Sequence, residues 1–96
     1  MVAVERQVRI LKAVAHPLRL SLVRLLEAQP RTVTELVEQV GAAQPAVSQQ
    51  LGILRLNEVV AVERRGPFAY YRILRPRVLD LLRCLDQCAV EEEQQP

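Results

Sequence analysis

The chain has 96 residues, half of them hydrophobic, and a formal net charge of +2. This length suits one domain and excludes a two-domain protein, so every functional surface must belong to one fold. Only Phe68, Tyr70 and Tyr71 are aromatic, which leaves a core of Leu, Val, Ile and Ala and favours packed helices. Because so small a core gains stability by pairing with a copy of itself, we expect a homodimer.

The charges are unevenly distributed along the chain. Residues 1–90 hold all 13 Lys and Arg, whereas Glu91, Glu92 and Glu93 follow in a short polar segment. We therefore predict a domain over 1–90 and an acidic polar tail over 91–96. Nearly all the basic residues are Arg, which suits bidentate contacts to phosphate or guanine. Solvated surface arginines explain the composition equally well, so their positions must decide.

Targeting signals are absent from the sequence pattern. No apolar run approaches the roughly 18 residues of a membrane span, and the first six residues lack the pattern of a signal peptide. We expect a cytoplasmic protein with no membrane partner. In that compartment Cys84 and Cys88 should be reduced thiols unless they form a sensor pair.

Four helices are predicted in the first sixty residues. An apolar stripe at three- and four-residue spacing predicts a helix that ends before His16 and Pro17, and Pro17 then fits the first turn of a second helix that runs to about Ala28. Thr32 and Glu35 stand at capping-box spacing before a short third helix that ends at Gly41. Gln44-Pro45 opens a fourth helix, so the third and fourth helices read as a helix-turn-helix.

A β-hairpin and a last helix follow. Residues 59–63 and 68–73 are rich in β-forming side chains, and Arg64-Arg65-Gly66-Pro67 between them predicts the turn. Pro76 starts a final helix with a heptad-like apolar stripe, beyond which we expect the Glu/Gln tail to fray. The predicted fold class is mainly α with one hairpin, in the order α-α-α-α-β-β-α.

Three strings in this order resemble the ArsR/SmtB family of winged-helix repressors. Residues 15–20 (AHPLRL) resemble the opening of the family's second helix. Thr34-Glu35-Leu36 with residues 44–55 (QPAVSQQLGILR) is similar to its turn and recognition helix, and residues 59–66 with 70–73 are similar to its wing. The resemblance covers about residues 5–88. It implies a winged helix-turn-helix repressor, a homodimer joined through the first and last helices, that binds an inverted repeat in double-stranded DNA.

The fourth helix carries the candidate base contacts. Its pattern buries Val47, Leu51 and Leu54 and places a polar set on the outward face, where a recognition helix meets the major groove. Gln bonds adenine bidentately, Ser reaches a base or a phosphate, and Gly lets a backbone approach closely. An ordinary solvated helix face is the alternative. With two residues that the resemblance adds, the candidates are Gln44, Pro45, Ala46, Ser48, Gln49 and Gly52.

Three arginines complete the candidate DNA-binding set. Arg64 and Arg65 at the hairpin tip are placed to contact the DNA backbone or the minor groove. Hairpin tips also carry charge for solubility alone. Arg55 reaches a phosphate, or forms a salt bridge with Glu58.

Enzymatic chemistry finds little support. His16 is the only histidine and precedes Pro17 at a helix entrance, where a structural role is favoured. The lack of another His argues against Ser-His-Asp and Cys-His systems, and no phosphate loop or zinc spacing occurs. A thiol enzyme that uses Cys84 is the remaining catalytic rival.

The candidate site for an effector lies in the last helix. Metal-sensing relatives carry a Cys pair at the start of the third helix, or acids and His residues along the last one, and this chain departs from both patterns. Cys84 and Cys88 share one face of the last helix, where thiolates bind arsenite, Cd²⁺ or Hg²⁺. An oxidant or persulfide that acts on these thiols is the other candidate signal. A direct disulfide requires the helix to fray or the bond to cross between subunits, since Cβ atoms four residues apart lie about 5–6 Å from each other.

Three alternatives to a thiol sensor stay open. In the first, both cysteines pack as small hydrophobes in an interface. In the second, the protein is a constitutive or autoregulatory repressor with no small-molecule effector. A protein-interaction module with the same fold is the third possibility, because fold does not fix function. No cofactor is required for the fold.

Overall fold

A computed structural model describes residues 3–94 and confirms the predicted order of elements. Met1, Val2, Gln95 and Pro96, which belong to the predicted domain and tail, lie outside the described residues. The elements are α1 (Val4–Val14), α2 (Pro17–Ala28), α3 (Val33–Val40), α4 (Gln44–Leu56), β1 (Val60–Arg65), β2 (Phe68–Ile73) and α5 (Arg77–Gln94).

Local side chains fix the starts of α2 and α3. The Nδ1 atom of His16 accepts hydrogen bonds from the backbone N–H groups of Leu18 and Arg19, at 3.2 and 3.4 Å, so His16 is the N-cap of α2. Thr32 and Glu35 form a complete capping box at the start of α3. These bonds satisfy amides that a helix start otherwise leaves unpaired. The structural role predicted for His16 and the predicted capping box are both confirmed.

The core is aliphatic and is built from all five helices and the start of the wing. Leu22 of α2, Leu36 of α3 and Leu82 of α5 are fully buried. The buried residues of α4 pack in the same core, so the helix-turn-helix is anchored to it. The core residues are Ala13, Val14, Leu22, Val23, Leu26, Leu36, Val47, Leu51, Leu54, Val59, Val60, Val78 and Leu82.

The hairpin, which we call the wing (Val60–Ile73), is an antiparallel pair with Val60 opposite Ile73 and Arg65 opposite Phe68. The predicted four-residue turn was wrong in extent, since Arg64 and Arg65 are still paired and only Gly66-Pro67 turns. A two-residue turn needs positive φ, which Gly66 supplies at 60°. The backbone of Arg31 also pairs with Tyr71, at 3.0 and 2.8 Å, which attaches the wing to the segment between α2 and α3.

The last helix is longer than predicted. Helix α5 continues through Glu91, Glu92 and Glu93 to Gln94, so the expected fraying of this part of the tail was wrong. Glu and Gln are good helix formers, and nothing in the sequence breaks the helix there. The guanidinium of Arg24 on α2 binds the carboxylate of Asp86 at 2.8 and 3.0 Å and the carbonyl of Leu82 at 3.3 Å. This contact holds α5 against α2.

Candidate nucleic-acid interface

Helix α4 presents one apolar face to the core and one polar face to the surface. Val47, Leu51 and Leu54 have no exposed area, as predicted. The candidate base-contacting residues lie on the other sides of the helix. Ala46 is partly exposed, and the exposed ones are Gln44, Pro45, Ser48, Gln49 and Gly52. The structure therefore brings all six onto one accessible surface over the first three turns of α4. We call these residues the α4 face.

Helix α4 is joined to α1 by an arginine that the sequence analysis noted only as part of the string over residues 15–20. Arg19 donates from Nε to the carbonyl of Ala13 at 2.7 Å and from its guanidinium to the carbonyl of Lys12 at 3.3 Å, which closes the end of α1. The same guanidinium donates to Oε1 of Gln50 on α4 at 2.7 Å. One side chain of α2 thus joins α1 to α4. Gln50 is turned inward by this bond and is only partly exposed, which separates it from Gln49.

Arg55 follows the α4 face toward the end of the helix and is exposed. Of the two roles considered for it, the salt bridge to Glu58 is wrong, because Glu58 pairs with Arg75 at 2.7 Å. Glu58 adopts a left-handed conformation with φ of 60°, and this turn directs it toward the segment after β2. Arg55 remains available to solvent.

The two arginines of the wing differ in their surroundings. Side chains alternate between the faces of a strand, so Arg64 shares a face with buried Val60, and Arg65 lies on the opposite face with Glu63. Arg65 lies 3.5 Å from the Glu63 carboxylate, and its guanidinium stacks over the ring of Tyr70 at 5.1 Å. Within residues 3–94 Arg64 forms no ion pair. Both are exposed, and Arg64 is the less encumbered of the two.

The cysteine pair is accessible on α5. Cys84 and Cys88 are both free thiols and exposed, one helical turn apart. In the described part of the chain, no group of three or more His, Cys, Asp or Glu side chains is arranged to hold a metal ion. A soft ion would therefore have two thiolate ligands from one chain. Further ligands would have to come from a second copy or from solvent.

Two helices keep large apolar side chains exposed. They are α1, where Leu11 is 49% exposed, and the second half of α5, where Leu85 is 41% exposed. None of the helices in residues 3–94 combines the length and the hydropathy needed to cross a membrane. We call the exposed apolar side chains of α1 and α5 the α1/α5 stripe. Its exposed residues are Val4, Val8, Leu11, Leu85 and Val90.

Comparison with known proteins identifies this arrangement. The sequence profile described as "Bacterial regulatory protein, arsR family" matches residues 16–62, the part that contains α2, α3, α4 and the start of the wing. The biofilm growth-associated repressor of Xylella fastidiosa is 36% identical over 86 residues, which cover 90% of this chain and 75% of that protein.

Solved structures agree over nearly the whole chain. The transcriptional repressor BigR from Xylella fastidiosa superposes with a TM-score of 0.82 at 34% identity, over 88% of this chain and 87% of that one. The homodimeric winged helix-turn-helix domain of Mb0332 from Mycobacterium bovis gives a TM-score of 0.81 at 25% identity, over 97% and 89% of the two chains. The chain belongs to the arsR family of bacterial regulatory proteins and is a winged helix-turn-helix transcriptional regulator, not an enzyme.

Proposed function

We propose that the protein is a cytoplasmic homodimer that binds an inverted-repeat operator through the α4 face, Arg55 and the wing arginines Arg64 and Arg65. The observation that carries this proposal is the division of α4 into a fully buried apolar face and an exposed polar one. Ala43, which precedes α4, provides no side-chain cap, so the first amides of the helix are open to a phosphate oxygen.

The α1/α5 stripe is the surface that we assign to dimerisation. Its side chains lie on two helices at the outside of each protomer, and burying them against a second copy removes apolar area from water. The homodimeric Mb0332 domain, which shares the fold, supports this assembly. A two-fold axis then gives two α4 faces about one DNA turn apart, as an inverted repeat requires.

Fluorescence anisotropy with the protein's own promoter region tests the DNA-binding proposal. We expect tight binding that weakens steeply between about 50 and 200 mM salt, because phosphate contacts release counterions. The triple variant Gln44→Ala/Ser48→Ala/Gln49→Ala should lose preference for the operator over unrelated DNA. Gln29→Ala, which alters an exposed glutamine outside α4, is the matched control.

Two results would contradict the proposal. Binding with a flat salt dependence would argue against phosphate contacts. No binding to any promoter fragment, with a stable fold, would support the alternative of a protein-interaction module.

For the effector, we propose that a soft metal or metalloid ion bound by Cys84 and Cys88 releases the DNA. Exposure of both thiols on one helical turn supports this. The helix continues past Cys88 to Gln94, which disfavours a disulfide within one chain, because that bond needs the two Cβ atoms closer than a helix holds them. An oxidant or persulfide is the second candidate signal, acting on the two thiols singly or between subunits.

The effector proposal is tested by repeating the anisotropy measurement with arsenite, Cd²⁺, an oxidant and a persulfide donor. Release by one of them from the unchanged protein, and not from Cys84→Ser/Cys88→Ser, would support a thiol switch and name its signal. Tight binding that none of them alters would leave a constitutive or autoregulatory repressor in which the cysteines only pack.

A further inference from the structure

The tip of the wing carries a large apolar side chain in an unexpected place. Phe68, the only phenylalanine of the chain, is the first residue of β2 and is 56% exposed. It follows the Gly66-Pro67 turn and stands opposite Arg65 in the register. An exposed ring at a hairpin tip gains nothing from the core, so a partner that covers it would add binding energy.

The neighbours of Phe68 leave its ring accessible. Arg65, its cross-strand partner, turns toward Glu63 and stacks over Tyr70. Gly66 and Pro67 are themselves exposed. The ring is held on a firm base, because the strands stay paired up to Arg65 and Phe68 and the intervening turn contains a proline with fixed φ. Little conformational entropy would be lost when such a side chain is inserted into a partner.

We propose that Phe68 is a wedge that enters the minor groove of double-stranded DNA and partly unstacks one base step beside the segment read by the α4 face. The inference rests on the proposed DNA-binding function and adds to it a kink in the operator. Phe is among the side chains that proteins insert between base steps in this groove. Pyrimidine–purine steps unstack most easily, so one of these is the expected target.

Charge favours DNA as the partner of this tip. The wing holds Arg64, Arg65 and Arg72 against the single acid Glu63. An apolar ring at the tip of a hairpin with a net positive charge suits a groove between two phosphate chains, because the arginines neutralise the phosphates while the ring stacks on the bases. In the proposed dimer two wings act on one operator, so two symmetric kinks are expected.

The test uses a promoter duplex with 2-aminopurine at the pyrimidine–purine step under the wing and a fluorophore pair at its ends. Binding of the unchanged protein should raise the 2-aminopurine fluorescence and shorten the end-to-end distance. Phe68→Ala should abolish both changes and weaken binding about tenfold. Phe68→Leu, which keeps an apolar wedge, should preserve both. Leu56→Ala is the control, since Leu56 is also strongly exposed, at 83%, but lies at the far end of α4.

The outcomes separate this inference from the function on which it rests. Tight binding by the unchanged protein without kinking or unstacking overturns the wedge alone. Kinking by Phe68→Ala that equals the unchanged protein's also overturns it. If Phe68→Ala does not fold, as its circular dichroism would show, Phe68→Ser and Phe68→Leu give the same comparison. Failure of the unchanged protein to bind any duplex overturns both the wedge and the proposed function.

Discussion

Gly52 lies in the middle of α4, and apart from its chain neighbours and the backbone of its own helix no heavy atom lies within 4 Å of the position that a Cβ would occupy. Alanine fits there without a clash, and glycine inside a helix costs about 0.5–1 kcal/mol relative to alanine. We therefore expect Gly52→Ala to raise the free energy of unfolding by about that amount and yet to weaken operator binding. The added methyl group would stand between the helix and the DNA.

Urea unfolding and anisotropy on the same preparation measure the two effects of Gly52→Ala. Higher stability together with weaker operator binding would show that glycine at this position allows close approach of DNA. Unchanged affinity in a stabilised variant would remove Gly52 from the α4 face.

The two arginines at the wing tip, equivalent in the sequence, should differ in their effect on DNA binding. Arg65 is engaged by Glu63 and Tyr70, whereas Arg64 forms no ion pair among the described residues. We expect Arg64→Ala to weaken binding more than Arg65→Ala and to reduce the salt dependence by about one counterion. Anisotropy titrations at several salt concentrations compare the two, with Arg83→Ala on α5 as the control. A larger loss for Arg65→Ala would contradict this assignment.

At the scale of elements, the start of α3 should respond to acid. Hydrogen bonds from the backbone and the side chain of Thr32, in that order, lower the pKa of Glu35. A folded-state pKa below the unfolded one means that the stabilisation is present above the unfolded pKa and is lost as the pH falls through the folded pKa. Unfolding by urea at a series of pH values below about 4.3 should show this loss.

The variant Glu35→Gln is the comparison for the acid response. It keeps a polar side chain at the third helical position and cannot ionise, so its stability should fall less steeply with acidification. Parallel curves for the two proteins would show that the capping box makes no contribution through ionisation. Thr32→Ala, which removes the cap itself, should cost about 1 kcal/mol near neutral pH.

Which elements could be predicted depended on how far apart the deciding residues stand in the chain. His16 before Pro17, Thr32 with Glu35, and Gly41 with φ of 71° act within one helical turn, so the sequence showed where α2 and α3 begin and where α3 ends. Four of the six residues of the α4 face also followed from local periodicity, and the resemblance supplied the other two. The bond from Arg19 to Gln50 and the backbone pairing of Arg31 with Tyr71 depend on tertiary packing, and no local pattern indicates them.

Two further differences had local physical causes that the sequence reasoning weighed wrongly. The turn chemistry of Gly66 and Pro67 was extended to Arg64 and Arg65, although cross-strand pairing continues to them. The acidic end of α5 was expected to fray because it is polar, whereas Glu and Gln favour helices. For the turn, the pairing between the strands decided the outcome. For the end of α5, helix propensity decided it.

At the scale of the whole molecule, the α1/α5 stripe predicts that assembly and DNA binding are lost together. A charge at Leu11 would face the second copy, so Leu11→Glu should give a monomer by analytical ultracentrifugation. Operator affinity should then fall by at least a factor of ten, because each monomer holds one half-site only. Gln29→Glu adds the same charge at an exposed site off the stripe and should stay dimeric. A dimeric Leu11→Glu variant would place the interface elsewhere.

The side chain of Arg19 has a consequence for the shape of the operator. In the proposed dimer α1 belongs to the interface, and Arg19 joins α4 to α1 through Gln50. The distance between the two α4 faces is then a fixed length, matched to roughly 10 base pairs from centre to centre. Arg19→Ala and Gln50→Ala should bind a single half-site normally yet tolerate operators lengthened or shortened by one base pair. If both variants kept the spacing preference of the unchanged protein, apolar packing alone, without the Arg19–Gln50 bond, would set the distance between the two α4 faces.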